Sequence, residues 1–173
     1  EIIARASKIK IILYNFEKLS GYKFTVEAVK KLVDAFPKNI IGCKDSGYNL
    51  FETLKIPNFL IFPGSEAKLL KGLELGCAGC ISAVTNVTYE LARKVFDDYE
   101  KKEEQNNNKK LVKVREVFDQ YNLISALHSF ISESDNKYEN LLPPLILLSS
   151  EEKKILLSNL EKLEFIPYKI IAA

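Results

Sequence analysis

The sequence predicts an α/β fold in which the strands of one parallel sheet alternate with helices. Three observations predict it. Brief apolar runs bounded by turn residues are typical of buried strands. The segments between these runs carry apolar residues at helical spacing. The strands begin about 20–30 residues apart, as they do in repeated βα units. Four such units, joined by right-handed crossovers, amount to half of a (βα)8 barrel or to a small doubly wound sheet.

Four segments carry the strand pattern, and each ends at residues that could face a common rim. The segments are 8–14, a stretch within 39–47, 59–62 and 79–84. The first becomes β-branched and ends at Tyr14, and the second is nearly all apolar with Lys44 at its C-terminal end. Pro63 and Gly64 close the third.

Helix signals lie between and after these strands. Thr25 is a good N-cap for a helix that runs to about Ala35 and stops before a proline. Ser65 caps a second helix over 66–75, which Gly76 ends. A third helix covers roughly 88–104 and opens at Thr88. The intervening segments 15–23 and 47–54 are predicted to be a loop and a short helix or turn.

The C-terminal part carries helix patterns and no strand pattern. A polar hinge at 103–110 precedes two helical segments within 111–133. After a loop at 134–140, two prolines forbid a helix over 141–148. Ser149 or Ser150 then caps a final helix that ends near Leu163. We therefore predict two domains, a βα part over 1–104 and a helical extension over 105–173.

Composition excludes several classes of function. The chain is 47% hydrophobic and 28% charged, and its net charge of +2 comes from interspersed Lys and Glu. This balance gives no basic face for a nucleic acid. No apolar run approaches the ~18 residues of a membrane span. The absence of a signal peptide and the odd number of cysteines favour a cytoplasmic protein.

The cysteines and the single histidine do not form a recognisable metal or redox site. Cys77 and Cys80 have CxxC spacing, but a second ligand pair is absent and His128 is far away in sequence. Cys43 lies in the second strand. We expect small buried thiols here and a structural histidine.

Tyr14 and Lys44 are the candidate catalytic residues. Active sites in parallel βα folds form at the C-terminal ends of strands, so both residues fall on one rim. Removal from water favours the neutral, nucleophilic form of a lysine amine, which forms Schiff bases with carbonyl substrates. A nearby phenol can relay the proton. Each residue also has a structural explanation, in which the lysine reaches water and the tyrosine lies at the core edge.

The order and spacing of several short motifs resemble those of the dihydrodipicolinate synthase/N-acetylneuraminate lyase superfamily of class I aldolases. The motifs are Tyr14-Asn15, Ser20-Gly21, Gly42-Cys43-Lys44-Asp45-Ser46, Gly64-Ser65-Glu66 and Gly76-Cys77-Ala78-Gly79-Cys80-Ile81-Ser82, followed by Asn86. The resemblance extends through Pro143-Pro144 to the last helix. Each motif is weak alone, whereas the ordered set is fairly specific.

The resemblance implies a (βα)8 barrel of which this chain carries strands five to eight and a C-terminal helical extension. The family's Gly-Thr-Thr-Gly or Gly-Ser-Thr-Gly loop, which holds the pyruvate carboxylate, does not occur in these 173 residues. The chain also contains no Met, and Glu1 to Ala6 read as the last turns of a helix. We therefore expect a missing N-terminal half-barrel.

The resemblance also assigns roles to the rim residues. It makes Lys44 the Schiff-base lysine and Tyr14 the proton-shuttling tyrosine, with no metal and no organic cofactor. The residues implied to line the substrate pocket are Phe16, Ser46, Gly64, Ser65, Glu66, Ile81, Ser82 and Ala83. The implied partners are a small keto acid and an aldehyde, and a homo-oligomer, commonly a tetramer.

Within the superfamily, the chain looks closest to archaeal 2-keto-3-deoxygluconate or phosphogluconate aldolases of Entner-Doudoroff metabolism. These usually carry an aromatic residue where Phe16 stands, although Phe16 lacks the hydroxyl often found there, and Glu17 replaces a usual proline. The implied reaction cleaves the sugar acid to pyruvate and glyceraldehyde, or its 3-phosphate. Leu19 stands where dihydrodipicolinate synthases place an arginine. That activity, N-acetylneuraminate lyase activity and a non-catalytic half-barrel remain the alternatives.

Overall fold

The computed structural model describes residues 2–6 and 8–166. Those described up to residue 82, together with 96–103, form one compact unit, and residues 83–95 with 104–166 form a second. We call them the sheet unit and the helical unit. The domain boundary between residues 104 and 105 stays a prediction.

A parallel sheet forms the centre of the sheet unit and confirms the predicted α/β class. Its strands are β1 (Ile11–Asn15), β2 (Ile40–Asp45) and β3 (Leu60–Pro63), in that order across the sheet. Both pairings are parallel, and the register places Tyr14 opposite Lys44 and Lys44 opposite Phe62. Residues level with one another in a parallel pair point to the same face, so these three side chains share one face of the sheet.

The fourth predicted strand, 79–84, is wrong. The chain passes β3 there and makes two hydrogen bonds, from Ala78 N–H to Ile61 O (2.9 Å) and from Ile81 N–H to Pro63 O (3.1 Å). Between them Gly79 has φ +144°, which lies outside the conformation of a strand. That residue interrupts the pleat, so no continuous ladder forms. Within the described residues the sheet has three strands.

The helices of the sheet unit largely confirm the prediction, with shifted ends. They are α1 (Ile2–Ala6), α2 (Glu17–Ser20), α3 (Val26–Ala35) and α4 (Leu69–Glu74), the last preceded by a 3-10 turn over Glu66–Lys68. Thr25 caps α3 as predicted, since its side chain accepts a hydrogen bond from Ala28 N–H (3.1 Å). Helix α2 was expected to be loop; Gly21 ends it in the left-handed conformation, φ +68°.

Helix α5 (Thr85–Lys101) contributes residues to both units. It begins three residues earlier than predicted. Thr88 does not cap it, because the Thr88 hydroxyl donates back to Val84 O (3.1 Å) from within the first turn. The predicted helix is therefore confirmed, and its predicted start at Thr88 was wrong.

The helical unit confirms the predicted helix pair and final helix. Its further helices are α6 (Asn108–Phe118), α7 (Leu123–Ile131) and α8 (Ser150–Glu161), with a 3-10 turn over Asn136–Glu139. Ser149, one of the two predicted caps, forms a capping box with Glu152. Residues 141–148 are not helical, as their prolines require.

Each unit has its own apolar core. The sheet unit packs the helix-facing side of the sheet against α3 and the segment after β2, and its fully or nearly fully buried members include Val29, Cys43, Leu50, Phe51 and Leu54. The core of the helical unit is built from α5 to α8, with Val114, Phe118, Ala126, Leu156 and Leu160 at its centre. No helix in the described part of the chain is long and apolar enough to cross a membrane.

Candidate active site

Lys44 and Tyr14 lie next to each other at the ends of two neighbouring strands. The Lys44 Nζ atom is 4.2 Å from the centroid of the Tyr14 ring. The strand register creates this contact, because Tyr14 and Lys44 are level with each other in the parallel pair. A protonated amine over an aromatic ring gains a cation–π attraction. The Lys44 amine and the Tyr14 ring are thus side by side at this rim.

The face that carries this pair is open in the chain. Tyr14 is 45% exposed, Lys44 is half-buried, and Ile12 and Leu60 on the same face are 41% and 40% exposed. The apolar strand predicted that Lys44 would be removed from water. The described residues do not cover Lys44 in this way. The opposite face is packed, since Cys43 is completely buried there.

Gly64 and Ser46 form a close contact at the same rim. A Cβ atom at Gly64 would lie 2.9 Å from Ser46 Cα and closer still to Ser46 Oγ. No side chain fits there unless the backbone shifts. The Gly64 N–H also donates to Asp45 O (2.9 Å), so the loop after β3 is tied to the end of β2. The rim beside Lys44 is consequently lined by backbone and a small hydroxyl.

Glu66 and Ser82 form a buried polar pair. Glu66 is completely buried, and the Ser82 hydroxyl donates to Glu66 Oε2 at 2.5 Å. Burial of a carboxylate is costly, so residues that keep one inside a protein at a strand end are candidates for function. The pair joins the 3-10 turn after β3 to the segment that passes beside it.

The other predicted pocket residues have more ordinary surroundings. Ser65 is buried and caps the 3-10 turn by accepting from Ala67 N–H (3.3 Å). Phe16 is half-buried with its ring 5.7 Å from that of Tyr14, and Ile81 is 38% exposed. Ala83 belongs to the helical unit and packs against the core of that unit. Their roles in a pocket stay predictions.

Sequence reasoning assigned no role to a buried network directly behind the rim. Asp45 and Asn15 are both completely buried, and Asn15 Nδ2 donates to Asp45 Oδ1 (2.7 Å) and to Asn49 Oδ1 (2.9 Å). The signal was available, because residues that follow Tyr14 and Lys44 must point to the opposite, helix-packed face. Polar residues at two such positions indicate a network.

Two of the three cysteines of the sheet unit, Cys43 and Cys77, are buried, whereas Cys80 is half-buried. Burial, with a further contribution from the Asp45 carboxylate, raises the pKa of Cys43 from its ordinary 9.0 to about 12. Burial also raises the pKa of Cys77. Within the described residues, no group of three or more His, Cys, Asp or Glu side chains could hold a metal ion.

His128 lies in the helical unit, where sequence analysis expected a structural residue. Its Nδ1 atom is 2.9 Å from Tyr138 O, and its ring is 5.6 Å from the Tyr138 ring. A carbonyl oxygen can only accept, so Nδ1 carries the proton in this contact. The contact ties α7 to the 3-10 turn that follows it.

Comparison with known proteins identifies the family. The model of the dihydrodipicolinate synthetase family matches residues 1–163. The chain belongs to that family. The resemblance inferred from the order of the motifs is thereby confirmed at the level of the family.

Two named relatives show how far the similarity extends. The chain is 36% identical over 89 residues to a 4-hydroxy-tetrahydrodipicolinate synthase of Hydrogenobaculum sp., an alignment covering 49% of this chain and 30% of the relative. It is 35% identical over 102 residues to a probable 2-dehydro-3-deoxy-D-pentonate aldolase of Escherichia coli, covering 54% of this chain and 34% of the relative. The aligned segments thus span about a third of the length of these two relatives.

A solved structure confirms the predicted fold. A prophage protein of the dihydrodipicolinic acid synthase family from Escherichia coli, crystallised in complex with pyruvate, superposes with a TM-score of 0.84. The sequences are 23% identical, and the match covers 95% of this chain and 59% of that protein. The chain therefore has the fold of part of a (βα)8 barrel with its helical extension.

Proposed function

We propose that this chain carries the Schiff-base lysine of a class I aldolase, and that Lys44 is this residue. One observation carries the proposal: the Lys44 amine lies 4.2 Å from the ring centroid of Tyr14, at the strand ends where βα folds place their active sites. Membership of the dihydrodipicolinate synthetase family supports it.

In the proposed reaction, the neutral Lys44 amine attacks the keto carbon of the substrate. A C–N bond forms, the carbonyl oxygen takes up a proton, and loss of water leaves a protonated Schiff base. The hydroxyl on the second carbon from the former keto carbon then loses its proton and becomes the aldehyde oxygen. The bond between that carbon and the carbon adjacent to the former keto carbon breaks, and its electron pair moves toward the iminium nitrogen. The aldehyde leaves, the enamine takes up a proton, and water releases pyruvate. Tyr14 relays the protons through its hydroxyl.

We propose a 2-keto-3-deoxy sugar acid, 2-keto-3-deoxygluconate or its 6-phosphate, as the substrate. Glu66 and Ser82, which are joined by a hydrogen bond, belong to the proposed pocket for this substrate. Similarity to a relative named as a pentonate aldolase points to the same chemical class. Phe16, Ser46, Gly64 and Ile81 complete the proposed pocket, and a homotetramer is the proposed assembly.

Dihydrodipicolinate synthase activity is the second candidate. The similarity to a relative of that name favours it. Leu19 argues against it, since an aliphatic side chain cannot pair with the carboxylate of aspartate semialdehyde. Condensation assays of pyruvate with glyceraldehyde, aspartate semialdehyde and N-acetylmannosamine separate this activity from sugar-acid aldolase and N-acetylneuraminate lyase activity.

Borohydride trapping tests the proposal. The full-length protein that contains this sequence is incubated with pyruvate and sodium borohydride, digested, and analysed by mass spectrometry. We expect a reduced pyruvyl group on Lys44 and none in the Lys44→Arg variant. Lys68→Arg is the matched control, because the Lys68 amine also lies over a tyrosine ring, 4.9 Å from that of Tyr48.

Either of two results would overturn the assignment. An adduct on a lysine other than Lys44 moves the active site elsewhere. No adduct at all, in a folded protein that binds no pyruvate, favours a non-catalytic half-barrel.

A further inference from the structure

We propose that the side chains of Asn15 and Asp45, which are buried, and of Asn49, which is half-buried, act as positioning residues that hold Lys44 against Tyr14. We call them the rim network. The effect of the network on catalysis rests on the proposed Schiff-base function. Its effect on the positions of the strand ends does not. Asn15 directly follows Tyr14 and Asp45 directly follows Lys44, so the network connects the two candidate catalytic residues through one peptide bond each.

The Asp45 carboxylate is the centre of the network. Its Oδ1 atom accepts from Asn15 Nδ2 (2.7 Å), and its Oδ2 atom accepts from the N–H groups of Leu50 (2.8 Å) and Phe51 (2.9 Å). Three donors on one completely buried carboxylate replace the water that it loses. The carboxylate therefore joins β1 and β2 to the turn that follows β2.

Asn15 extends the network through its side-chain oxygen and its backbone oxygen. Its Oδ1 atom accepts from Phe24 N–H (3.0 Å), and its backbone oxygen accepts from Ser46 N–H (2.9 Å) and Gly47 N–H (3.2 Å). Asn49 then donates from Nδ2 to Phe24 O (2.9 Å). The end of β1 is thus held by β2, by the turn after β2 and by the segment before α3.

Among the described residues, the groups that hold the end of β2 lie on the opposite side of the sheet from Lys44. Tyr14 is 45% exposed and Lys44 is half-buried on the open face, whereas Asn15 and Asp45 are completely buried on the other. Packing that fixes a side chain must come from its neighbours. Here the fixed neighbours lie behind the strand ends.

The carboxylate cannot be replaced by an amide without loss. In Asp45→Asn, one oxygen becomes an NH2 group, which would face either the Asn15 amide donor or the two backbone N–H donors. At least one donor is then left without an acceptor in a buried site. The strand ends must shift to relieve this, and a displacement of about 1 Å in a catalytic group costs about 100-fold in rate.

The experiment compares Asp45→Asn with Val29→Ala in the full-length protein. Val29 is completely buried in the core of the same unit and has no atom in the network, so its truncation lowers stability without removing a hydrogen bond of the network. Two measurements are made at a temperature where both variants are folded: the rate of borohydride trapping at saturating pyruvate, and amide hydrogen exchange.

We expect Asp45→Asn to lower the trapping rate about 100-fold and Val29→Ala to leave it within about threefold of wild type. Exchange should accelerate in Asp45→Asn at the amides of Ser46, Gly47, Leu50 and Phe51, with no change in α3. Asn49→Ala removes individual hydrogen bonds at the edge of the network and should lower the trapping rate about tenfold. It replaces Asp45→Asn in the comparison if that variant fails to fold.

Each outcome is decisive. If Asp45→Asn, or Asn49→Ala in its place, is trapped as fast as Val29→Ala, the catalytic part of the inference is overturned. Unchanged exchange at the four amides would overturn the positioning itself. If wild type is not trapped at all, the proposed function fails, and the exchange measurement still decides whether the network holds the strand ends.

Discussion

The ends of the strands and the core of the helical unit both contain buried polar side chains, but of different kinds. At the strand ends, two completely buried carboxylates, Asp45 and Glu66, accept hydrogen bonds from the residues around them. In the helical unit, buried serine hydroxyls bond to backbone groups, since Ser129 accepts from Leu148 N–H and Ser132 donates to Ser129 O. The buried Arg115 pairs with Asp119 on the same helix.

This difference separates a candidate site from a scaffold. A buried carboxylate lowers stability unless every lone pair is satisfied, so its presence at a strand end favours a functional reason. A buried serine that closes a loop onto a helix has a structural reason. Substitutions at the rim should therefore change activity more than stability, and substitutions in the helical core should do the reverse.

The largest expected effect is on activity at the rim. Tyr14→Phe removes the proposed proton relay and retains the ring over which Lys44 lies, so kcat should fall by about 100- to 10,000-fold. The melting temperature should change little, because the substitution removes one hydroxyl and retains the ring. Steady-state kinetics and a thermal melt of the full-length protein measure both. Tyr22→Phe, at a 53% exposed tyrosine of the same unit, is the control. A Tyr14→Phe enzyme with normal kcat would remove Tyr14 from the mechanism.

Alkylation of Cys43 tests whether the sheet face behind Lys44 is packed. With its pKa raised to about 12 by burial and by Asp45, Cys43 has a thiolate fraction about 1,000-fold below that of an ordinary cysteine near neutral pH. We expect iodoacetamide to leave Cys43 unmodified in the folded protein and to alkylate it in denaturant, as peptide mass spectrometry will show. Rapid alkylation of the folded protein would contradict the packed face behind Lys44.

The core of the helical unit should respond in stability alone. Leu160→Ala truncates a completely buried side chain and should lower the free energy of unfolding by about 2–5 kcal/mol. Ile155→Ala, at a 48% exposed position on the same helix, is the matched control and should cost far less. Denaturant titrations give both values. If Leu160→Ala also lowered kcat at a temperature where it is folded, the separation of scaffold from site would fail.

The smallest effect is expected at the N-terminus of α8. Ser149 accepts from Glu152 N–H (3.3 Å), and Ser149→Ala should cost about 1 kcal/mol. Ser150→Ala, one residue later and inside the helix, is the control. A larger loss of stability from Ser150→Ala than from Ser149→Ala would show that Ser150, not Ser149, caps the helix.

The pH dependence of the same cap has a defined sign. The hydrogen bonds from the Ser149 hydroxyl and N–H lower the pKa of Glu152 below its ordinary 4.5. A carboxyl with a lowered folded-state pKa stabilises the protein above its ordinary pKa, and that contribution is lost as the pH falls through the folded-state value. Ser149→Ala should therefore cost less in acid than at neutral pH, as thermal melts over this range will test.

Several elements could be predicted from local sequence because their signals are local. They include the Thr25 cap, the capping box at Ser149 and the helix end near Gly76. Each depends on residues within about one helical turn. The strand at 79–84 could not be judged in this way. Its composition suits a strand, but pairing depends on the backbone of Gly79 relative to β3, which no local pattern encodes.

The sequence by itself determined the fold class, the family and the placement of Tyr14 and Lys44 at strand ends, since periodicity, caps and motif order all depend on neighbours along the chain. Only the tertiary structure decided that these two side chains are level across a strand pair, and that Asn15, Asp45 and Asn49 bond behind them. The physical reason is that register and buried hydrogen bonds join residues about 30 positions apart, and their geometry is fixed by packing between elements.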